Sequence, residues 1–201
     1  MLDQYARLPK KYLYEPISRR WKVSPNVVSA AGFAAGMTSA ALAAVGLYPA
    51  AFALWGLNRL LDGLDGEIAR AQNSQSDFGG YLDIVLDFIV YTAIPIGLVF
   101  SQPSPTLWLL LALLLGSFFV NAASLMYLAA ILEKRDRGAA FNKEKTSVTM
   151  PPGLIEGAET VIFYSLFLLY PGRLETLFGL MAFLVSANII WRLQWAYRQI
   201  R

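Results

Sequence analysis

The chain has 201 residues, 56% of them apolar and 15% charged, with a formal net charge of +3 and a mean hydropathy of +0.46. Soluble domains carry about a quarter of their residues charged, so this balance excludes an ordinary soluble domain and points to a bilayer. With no cysteine and no histidine, disulfides, thiolate metal sites and Ser–His arrangements are also excluded, and any acid–base or metal chemistry must run on carboxylates.

Residues 1–22 mix Arg7, Lys10, Lys11, Arg19, Arg20 and Lys22 with Tyr5, Leu8, Tyr12, Leu13, Tyr14, Ile17 and Trp21. This pattern suits an amphipathic segment lying in the membrane interface, interrupted near Pro9 and Pro16. It has no apolar core of its own and does not read as a signal peptide. Beyond it, 23–201 reads as one polytopic domain. No Asp, Glu, Lys or Arg occurs between Lys22 and Arg59, or between Asp87 and Glu133. Each gap is too long for one crossing of about 20 residues. Each also contains a break, at Gly46-Leu47-Tyr48-Pro49 and at Ser101-Gln102-Pro103-Ser104-Pro105. The expected fold is therefore all-α, with six transmembrane helices over roughly 26–47, 49–71, 78–100, 106–132, 153–170 and 175–197. In the first, Gly32 and Gly36 are spaced as G-x-x-x-G, which lets helix backbones approach closely. Packing inside the bundle is expected there, with a homodimer seam as the alternative.

Six spans sort the charges. Sixteen of the 17 Lys and Arg then lie on one side, leaving only Arg173 opposite. The positive-inside rule makes that side cytoplasmic and places both ends of the chain there.

Charges inside spans are costly and point to function. They concentrate in Asp62-Gly63-Leu64-Asp65-Gly66-Glu67-Ile68-Ala69-Arg70 and in Gly79-Gly80-Tyr81-Leu82-Asp83-Ile84-Val85-Leu86-Asp87. Asp62 and Asp65 share a face of the second helix; Asp83 and Asp87 share a face of the third. The two helices are consecutive and antiparallel, so all four carboxylates are expected to converge below the cytoplasmic surface. Four anions so close repel one another strongly in a low-dielectric site. Hard cations relieve this, and oxygen-only ligands favour Mg²⁺ or Mn²⁺ over zinc. Gly66 and Gly79 leave room for a ligand to approach the helices, and Arg70 can offer a planar fork to a diphosphate. The structural alternative is a set of ion pairs with Arg59 and Arg70, which leaves two acids in excess. Glu67 reads as a helix-surface residue and Tyr81 as packing.

The string Asp62-x₂-Asp65-Gly66-x₂-Ala69-Arg70-x₈-Gly79-x₃-Asp83-x₃-Asp87 resembles, element by element, the signature of the CDP-alcohol phosphotransferases (CDP-alcohol phosphatidyltransferases). It matches eight residue identities over 26 positions. Ser24-Pro25-Asn26 is similar to that family's Pro-Asn entry to its first helix, and the six-helix layout agrees over nearly the whole chain. The resemblance implies two divalent metals, Mg²⁺ or Mn²⁺, held by Asp62, Asp65, Asp83 and Asp87, with Asp87 also the base that deprotonates the acceptor hydroxyl. It places Gly66, Ala69, Arg70 and Gly79 around the cytidine diphosphate, with Asn58, Ser76 and Asp77 as further candidates. The implied reaction is attack of an acceptor alcohol on the β-phosphorus of a CDP-alcohol, most simply CDP-diacylglycerol, with release of CMP in phospholipid biosynthesis. It further implies a homodimer in a bacterial inner membrane, working on the cytoplasmic side, with no nucleic-acid partner.

A second polar string, Gly153-Leu154-Ile155-Glu156-Gly157-Ala158-Glu159-Thr160, opens the fifth span. Helix N-termini favour acids, which accounts for Glu156 and less well for Glu159, one turn deeper. The pair resembles a bacterial inner-membrane subgroup of the same family, and both glutamates are candidates for acceptor binding. Lys134, Arg135, Arg137, Lys143 and Lys145 read as surface charges at lipid headgroups. A polyol or an amine-bearing alcohol suits the two glutamates better than a phosphorylated acceptor. The alternative from another class is a cation transporter built on the intramembrane aspartates.

Overall fold

Among the described residues of the computed structural model, which are 23–138, 141, 149 and 153–200, every regular element is helical. The expected amphipathic segment over 1–22 lies outside them, as do Lys143 and Lys145. Six α-helices follow in order: α1 (Pro25–Ala44), α2 (Tyr48–Ala71), α3 (Asp77–Ser101), α4 (Pro105–Lys134), α5 (Gly157–Leu169) and α6 (Leu174–Ile200), with a single 3-10 turn, Pro171–Arg173, before the last. Proline lies in the opening turn of α1, α2 and α4. Its missing N–H costs nothing where the helix leaves that donor unused.

Three helices end in the same way. Gly46, Asn73 and Asp136 take φ of 78°, 51° and 55°. The amides that follow them (Leu47, Ser74 and Arg137) each donate 2.9 Å back to the carbonyls of Leu42, Ala69 and Leu132. This left-handed cap satisfies carbonyls that the helix end would otherwise orphan. At Asn73 it also turns the chain sharply, so that α3 starts at Asp77 after a short loop. Ser76 closes that loop, its hydroxyl accepting from the Gly79 amide at 3.1 Å.

α1 is the common partner of α2 and α3, which pack along it far more than against each other. Its small residues make this possible. A Cβ on Gly32 would press on Leu61 of α2 at 3.3 Å, and one on Gly36 would meet the Val90 methyls of α3 at 2.7 and 2.8 Å. From the other side, a Cβ on Gly97 of α3 would overlap the Ala40 carbonyl oxygen. The G-x-x-x-G pair therefore serves packing inside the bundle, as expected. α4 packs on α6, and α5 joins the two groups through α2, α3 and α6. Trp55, Tyr164, Phe167 and Phe178 are fully buried where the groups meet.

α3 carries Pro95 in its interior, which cannot donate to the carbonyl four residues earlier. That carbonyl belongs to Tyr91. The hydroxyl of the buried Tyr164 donates to it at 2.5 Å, pinning α5 to α3.

α1, α3, α4 and α6 with its leading 3-10 turn are long and apolar enough to cross a membrane. α2 has the length, 24 residues, but also carries Arg59, Asp62, Asp65, Glu67 and Arg70. The fifth span, expected over 153–170, is shorter than the sequence suggested. Its helix has 13 residues, about 20 Å at 1.5 Å per residue, because residues 153–156 are a bend rather than helix. Large apolar side chains such as Leu109, Leu113, Phe119, Phe183 and Ile190 point outward, as a lipid-facing surface requires.

Candidate active site

One pocket gathers Asp62 and Asp65 from α2 and Asp83 and Asp87 from α3, closed on its third side by Ser29, Gly32 and Phe33 of α1. Asn58, Leu86 and Val90 complete its lining. Helical spacing puts each pair of aspartates on one face, and the shared seat on α1 turns the two faces toward each other. Asp65 is the most enclosed of the four, and the Ser29 hydroxyl donates to its Oδ2 at 2.5 Å. Ser29 was not singled out in the sequence. Its signal was slight: a small hydroxyl one turn into α1, three residues after Asn26.

Arg59, named in the sequence only as a possible ion-pair partner of the aspartates, stands at the pocket's edge. Its Nη2 lies 2.6 Å from Asp87 Oδ1 and its Nη1 3.2 Å from Asp87 Oδ2, while Asp62 Oδ2 stands 3.6 Å from Nη1. The guanidinium is held from behind as well. Nε donates to Asn58 Oδ1 at 2.8 Å, Nη1 to the Tyr91 hydroxyl at 2.8 Å, and the rings of Trp55 and Tyr91 lie 4.7 and 5.1 Å away. Asn58 in turn donates to the Gly32 carbonyl at 2.9 Å. So Asn58, expected near the donor nucleotide, does line the pocket, but it also spans α1, α2 and the guanidinium. The ion-pair alternative holds for Asp87 and, loosely, for Asp62. It does not extend to Arg70, which pairs with Glu67 at 2.9 Å.

The remaining donor-site candidates are not among the residues that line this pocket, although Gly66 directly follows Asp65. Gly66, Ala69 and Arg70 occupy the last turns of α2, and Ser76, Asp77 and Gly79 the first turn of α3. They cluster on either side of the α2–α3 turn. A Cβ on Gly66 would touch the Arg70 guanidinium at 3.4 Å. Gly79 supplies the amide that Ser76 caps.

Glu156 and Glu159 lie outside the pocket too. They form a reciprocal capping box at the start of α5, with the Glu159 carboxylate accepting from the Glu156 amide at 3.1 Å. Glu156 also accepts from the Gly153 amide at 2.8 Å. Helix capping thus accounts for both glutamates, including the deeper one. Close by, Asn188 accepts from the Leu154 amide at 2.5 Å and donates to Asn121 at 3.0 Å. Arg192 donates to the Asn121 side chain at 2.7 Å. Arg192 is buried.

Among the described residues, no group of three or more acids is drawn together tightly enough to make a ready metal cage. The donor set nevertheless suits a hard divalent cation. Four carboxylates line one pocket, their ligand atoms are all oxygen, and one guanidinium faces them. One positive charge leaves most of that negative charge unbalanced.

Comparison with known proteins bears on the same residues. The family model for CDP-alcohol phosphatidyltransferase matches residues 22–192. Inner membrane protein YnjF of Escherichia coli is 32% identical over 176 residues, spanning 84% of this chain and 82% of its own. Phosphatidylinositol phosphate synthase of Corynebacterium glutamicum is 30% identical over 176 residues, 81% of this chain and 71% of that protein. Two solved structures of Mycobacterium tuberculosis phosphatidylinositol phosphate synthase (PgsA1) superpose with a TM-score of 0.69. One has CDP-DAG bound, at 24% identity and covering 90% of this chain and 92% of that one. The other is a complex with manganese and citrate, at 23% identity, covering 90% and 88%.

Proposed function

Because the chain belongs to the CDP-alcohol phosphatidyltransferase family, it is a metal-dependent CDP-alcohol phosphotransferase of a multi-pass inner membrane protein, and we propose that it moves the phosphatidyl group of CDP-diacylglycerol onto an acceptor alcohol from the cytoplasmic side. One observation carries this reading: the four aspartates of two consecutive helices line a single pocket. The cation-transporter alternative is set aside by the family match.

In this reading Asp62, Asp65, Asp83 and Asp87 are the residues that would hold two divalent ions. Bound there, the metals supply electrostatic stabilisation of charge developing on the phosphoryl and leaving oxygens. The chain's own groups do the rest. Asp87 accepts the proton of the acceptor hydroxyl. The acceptor oxygen forms its bond to the β-phosphorus as the bond to the bridging oxygen breaks, and CMP leaves with that electron pair. The bidentate Arg59 pair does not preclude this, since a carboxylate has about four lone-pair sites. Gly66, Ala69, Arg70, Ser76, Asp77 and Gly79 receive the cytidine diphosphate at the α2–α3 turn, where glycine leaves space and Arg70 offers a fork. The acceptor, a polyol or an amine-bearing alcohol, approaches near Glu156 and Glu159, whose helix α5 packs on both aspartate-bearing helices.

Six spans remain the proposed topology. α2 crosses with its charges turned inward, and α5 is completed by the turns on either side of it. We read the chain as a homodimer. Gly32 and Gly36 are spent on α2 and α3, so a second copy would use another face.

The test is CMP release from CDP-diacylglycerol by purified protein with pooled polyols and amino alcohols, with and without Mg²⁺ or Mn²⁺. Metal-dependent release that requires an alcohol supports the reading. No release from this donor, with release from a soluble CDP-alcohol instead, would overturn the choice of donor and leave the chemistry standing.

A further inference from the structure

We infer that Arg59 is a resident counter-cation of the metal site, sharing Asp87 and Asp62 with the divalent ions, and that it ties full loading of the pocket to the arrival of the anionic donor. All four aspartates remain metal ligands. The inference rests on the proposed metal-dependent transfer and deepens it.

The guanidinium engages two of the four acids. Its Nη2 and Nη1 lie 2.6 and 3.2 Å from the two oxygens of Asp87, and Nη1 lies 3.6 Å from Asp62 Oδ2. Asp65 and Asp83 join no ion pair among the described residues. Arg59 also stands behind the acids it touches, with 12% of its side chain exposed against 31% for Asp62 and 24% for Asp87. An ion entering the pocket therefore meets carboxylates first and the arginine beyond them. A carboxylate offers about four lone-pair sites, so Asp87 can hold an ion and Arg59 together. The cost is electrostatic. A guanidinium keeps its charge at every working pH, and like charges this near repel strongly away from bulk water.

Nor is the charge free to swing aside. Nε donates to Asn58 Oδ1 and Nη1 to the Tyr91 hydroxyl, both at 2.8 Å, and the rings of Trp55 and Tyr91 flank the guanidinium. Those partners are pinned in turn. Asn58 donates to the Gly32 carbonyl, the indole of Trp55 donates to Ser165 at 3.2 Å, and the Tyr91 ring packs edge-on against both Trp55 and Tyr164. The balance of charge then sets the order of loading. Without ions, one guanidinium offsets only part of the four carboxylates, so a first divalent ion is strongly favoured. Two divalent ions cancel the carboxylates and leave the guanidinium's charge in excess. An anionic diphosphate removes that excess. Arg59 therefore weakens the second ion until the donor is bound and, by linkage, strengthens the donor once both ions are in place.

The experiment uses full-length protein in detergent or nanodiscs and reads Mn²⁺ binding by electron paramagnetic resonance, with and without CDP, the diphosphate nucleotide common to donors of this class. Wild type, Arg59→Gln, Arg59→Met and Arg59→Lys are compared. Coordination of a diphosphate by an ion couples the two in every variant, so the reading lies in the difference between variants. Without CDP, Arg59→Gln is expected to bind Mn²⁺ more tightly than wild type, because a competing cation is gone. The gain in Mn²⁺ affinity that CDP brings should be smaller in Arg59→Gln by at least about fivefold, the low end of typical coupling between sites. Mn²⁺ should tighten CDP by the same reduced factor, as reciprocity requires. Arg59→Lys keeps a positive charge beside both acids and should keep most of the wild-type coupling. A merely structural role predicts instead that Arg59→Gln lowers Mn²⁺ affinity alike with and without CDP, and that result would overturn the inference. So would equal Mn²⁺ affinity and stoichiometry in wild type with and without CDP. If Arg59→Gln does not fold, Arg59→Met, which fills the space between Trp55 and Tyr91 with an uncharged stem, is read by the same criteria. If neither folds, Arg59→Lys decides: retained coupling supports the inference and lost coupling defeats it. Wild type that binds no Mn²⁺ under either condition would instead refute the metal reading on which the inference stands.

Discussion

Removing the Tyr164 hydroxyl should loosen the bundle by an amount the structure lets us bound. Tyr164→Phe keeps the ring, its burial and its packing against Trp55, Tyr91 and Phe167. It deletes only the donor to the Tyr91 carbonyl. In an unbroken helix that carbonyl would retain the amide at position 95, but Pro95 has none, so the variant leaves a buried acceptor unpaired. An orphaned buried group costs about 1–3 kcal/mol, whereas hydrogen bonds between membrane helices average about 0.6 kcal/mol, with a maximum near 1.7. The low average reflects acceptors that find other partners. Here the helical partner is missing, so we expect roughly 1–2 kcal/mol. The assay is reversible unfolding by dodecyl sulfate in mixed micelles, followed by fluorescence. Trp55 stacks on Tyr164 with ring centroids 5.4 Å apart and reports locally. The decisive arm is a double-mutant cycle with Pro95→Ala, which returns an amide to position 95. In that background Tyr164→Phe should cost less, by about 0.5–1 kcal/mol. An equal cost in both backgrounds would refute the idea that Tyr164 stands in for the amide lost to proline. A cost within about 0.3 kcal/mol of zero would refute the bond itself.

Four other outcomes are expected. Asp62→Asn, Asp65→Asn and Asp83→Asn should each abolish transfer while folded protein remains in the membrane; substantial activity at saturating donor in any of them would remove it from the metal set. Asp87→Asn should lose roughly 10²–10⁴ in turnover yet retain more metal-dependent donor binding than Asp62→Asn, measured by calorimetry, and equal loss would make Asp87 chiefly a ligand. Gly97→Ala places a Cβ on the Ala40 carbonyl oxygen, which cannot yield as a side chain could. It should cost about 1–3 kcal/mol, whereas Gly116→Ala, which meets nothing within 4 Å, should be neutral or gain up to about 1 kcal/mol in helix propensity; matching thermal shifts for the two would contradict the packing described. Reporters at Pro103 and after Ile200 should fall on opposite sides of the membrane, and a cytoplasmic Pro103 would overturn the six-span topology.

Local rules reached a long way here. Apolar runs interrupted at Gly46–Pro49 and Ser101–Pro105 marked the helices, because a bilayer leaves no other use for such stretches. The aspartates were legible for a related reason: charge in a span is too costly to keep without purpose, and i, i+3 and i, i+4 spacing assigns each pair to a face. What the spacing could not show is how those faces come to meet. It is α1, through Gly32 and Gly36, that seats α2 and α3 around one pocket, and close approach depends on which residues lie opposite in three dimensions. The same limit left Arg59 a possible ion-pair partner with no definite acid. On the chain it is one more charge near Asp62, while its partner Asp87 lies 28 positions away and its aromatic seat is shared between two helices. Glu156 and Glu159 drew attention as a polar pair, and the backbone geometry at the start of α5 made them a cap. Pattern in the sequence thus determined which residues are expensive and where helices run. Tertiary structure alone decided what each expensive group faces, because hydrogen-bond geometry and helix contact depend on separations in space that adjacency along the chain does not set.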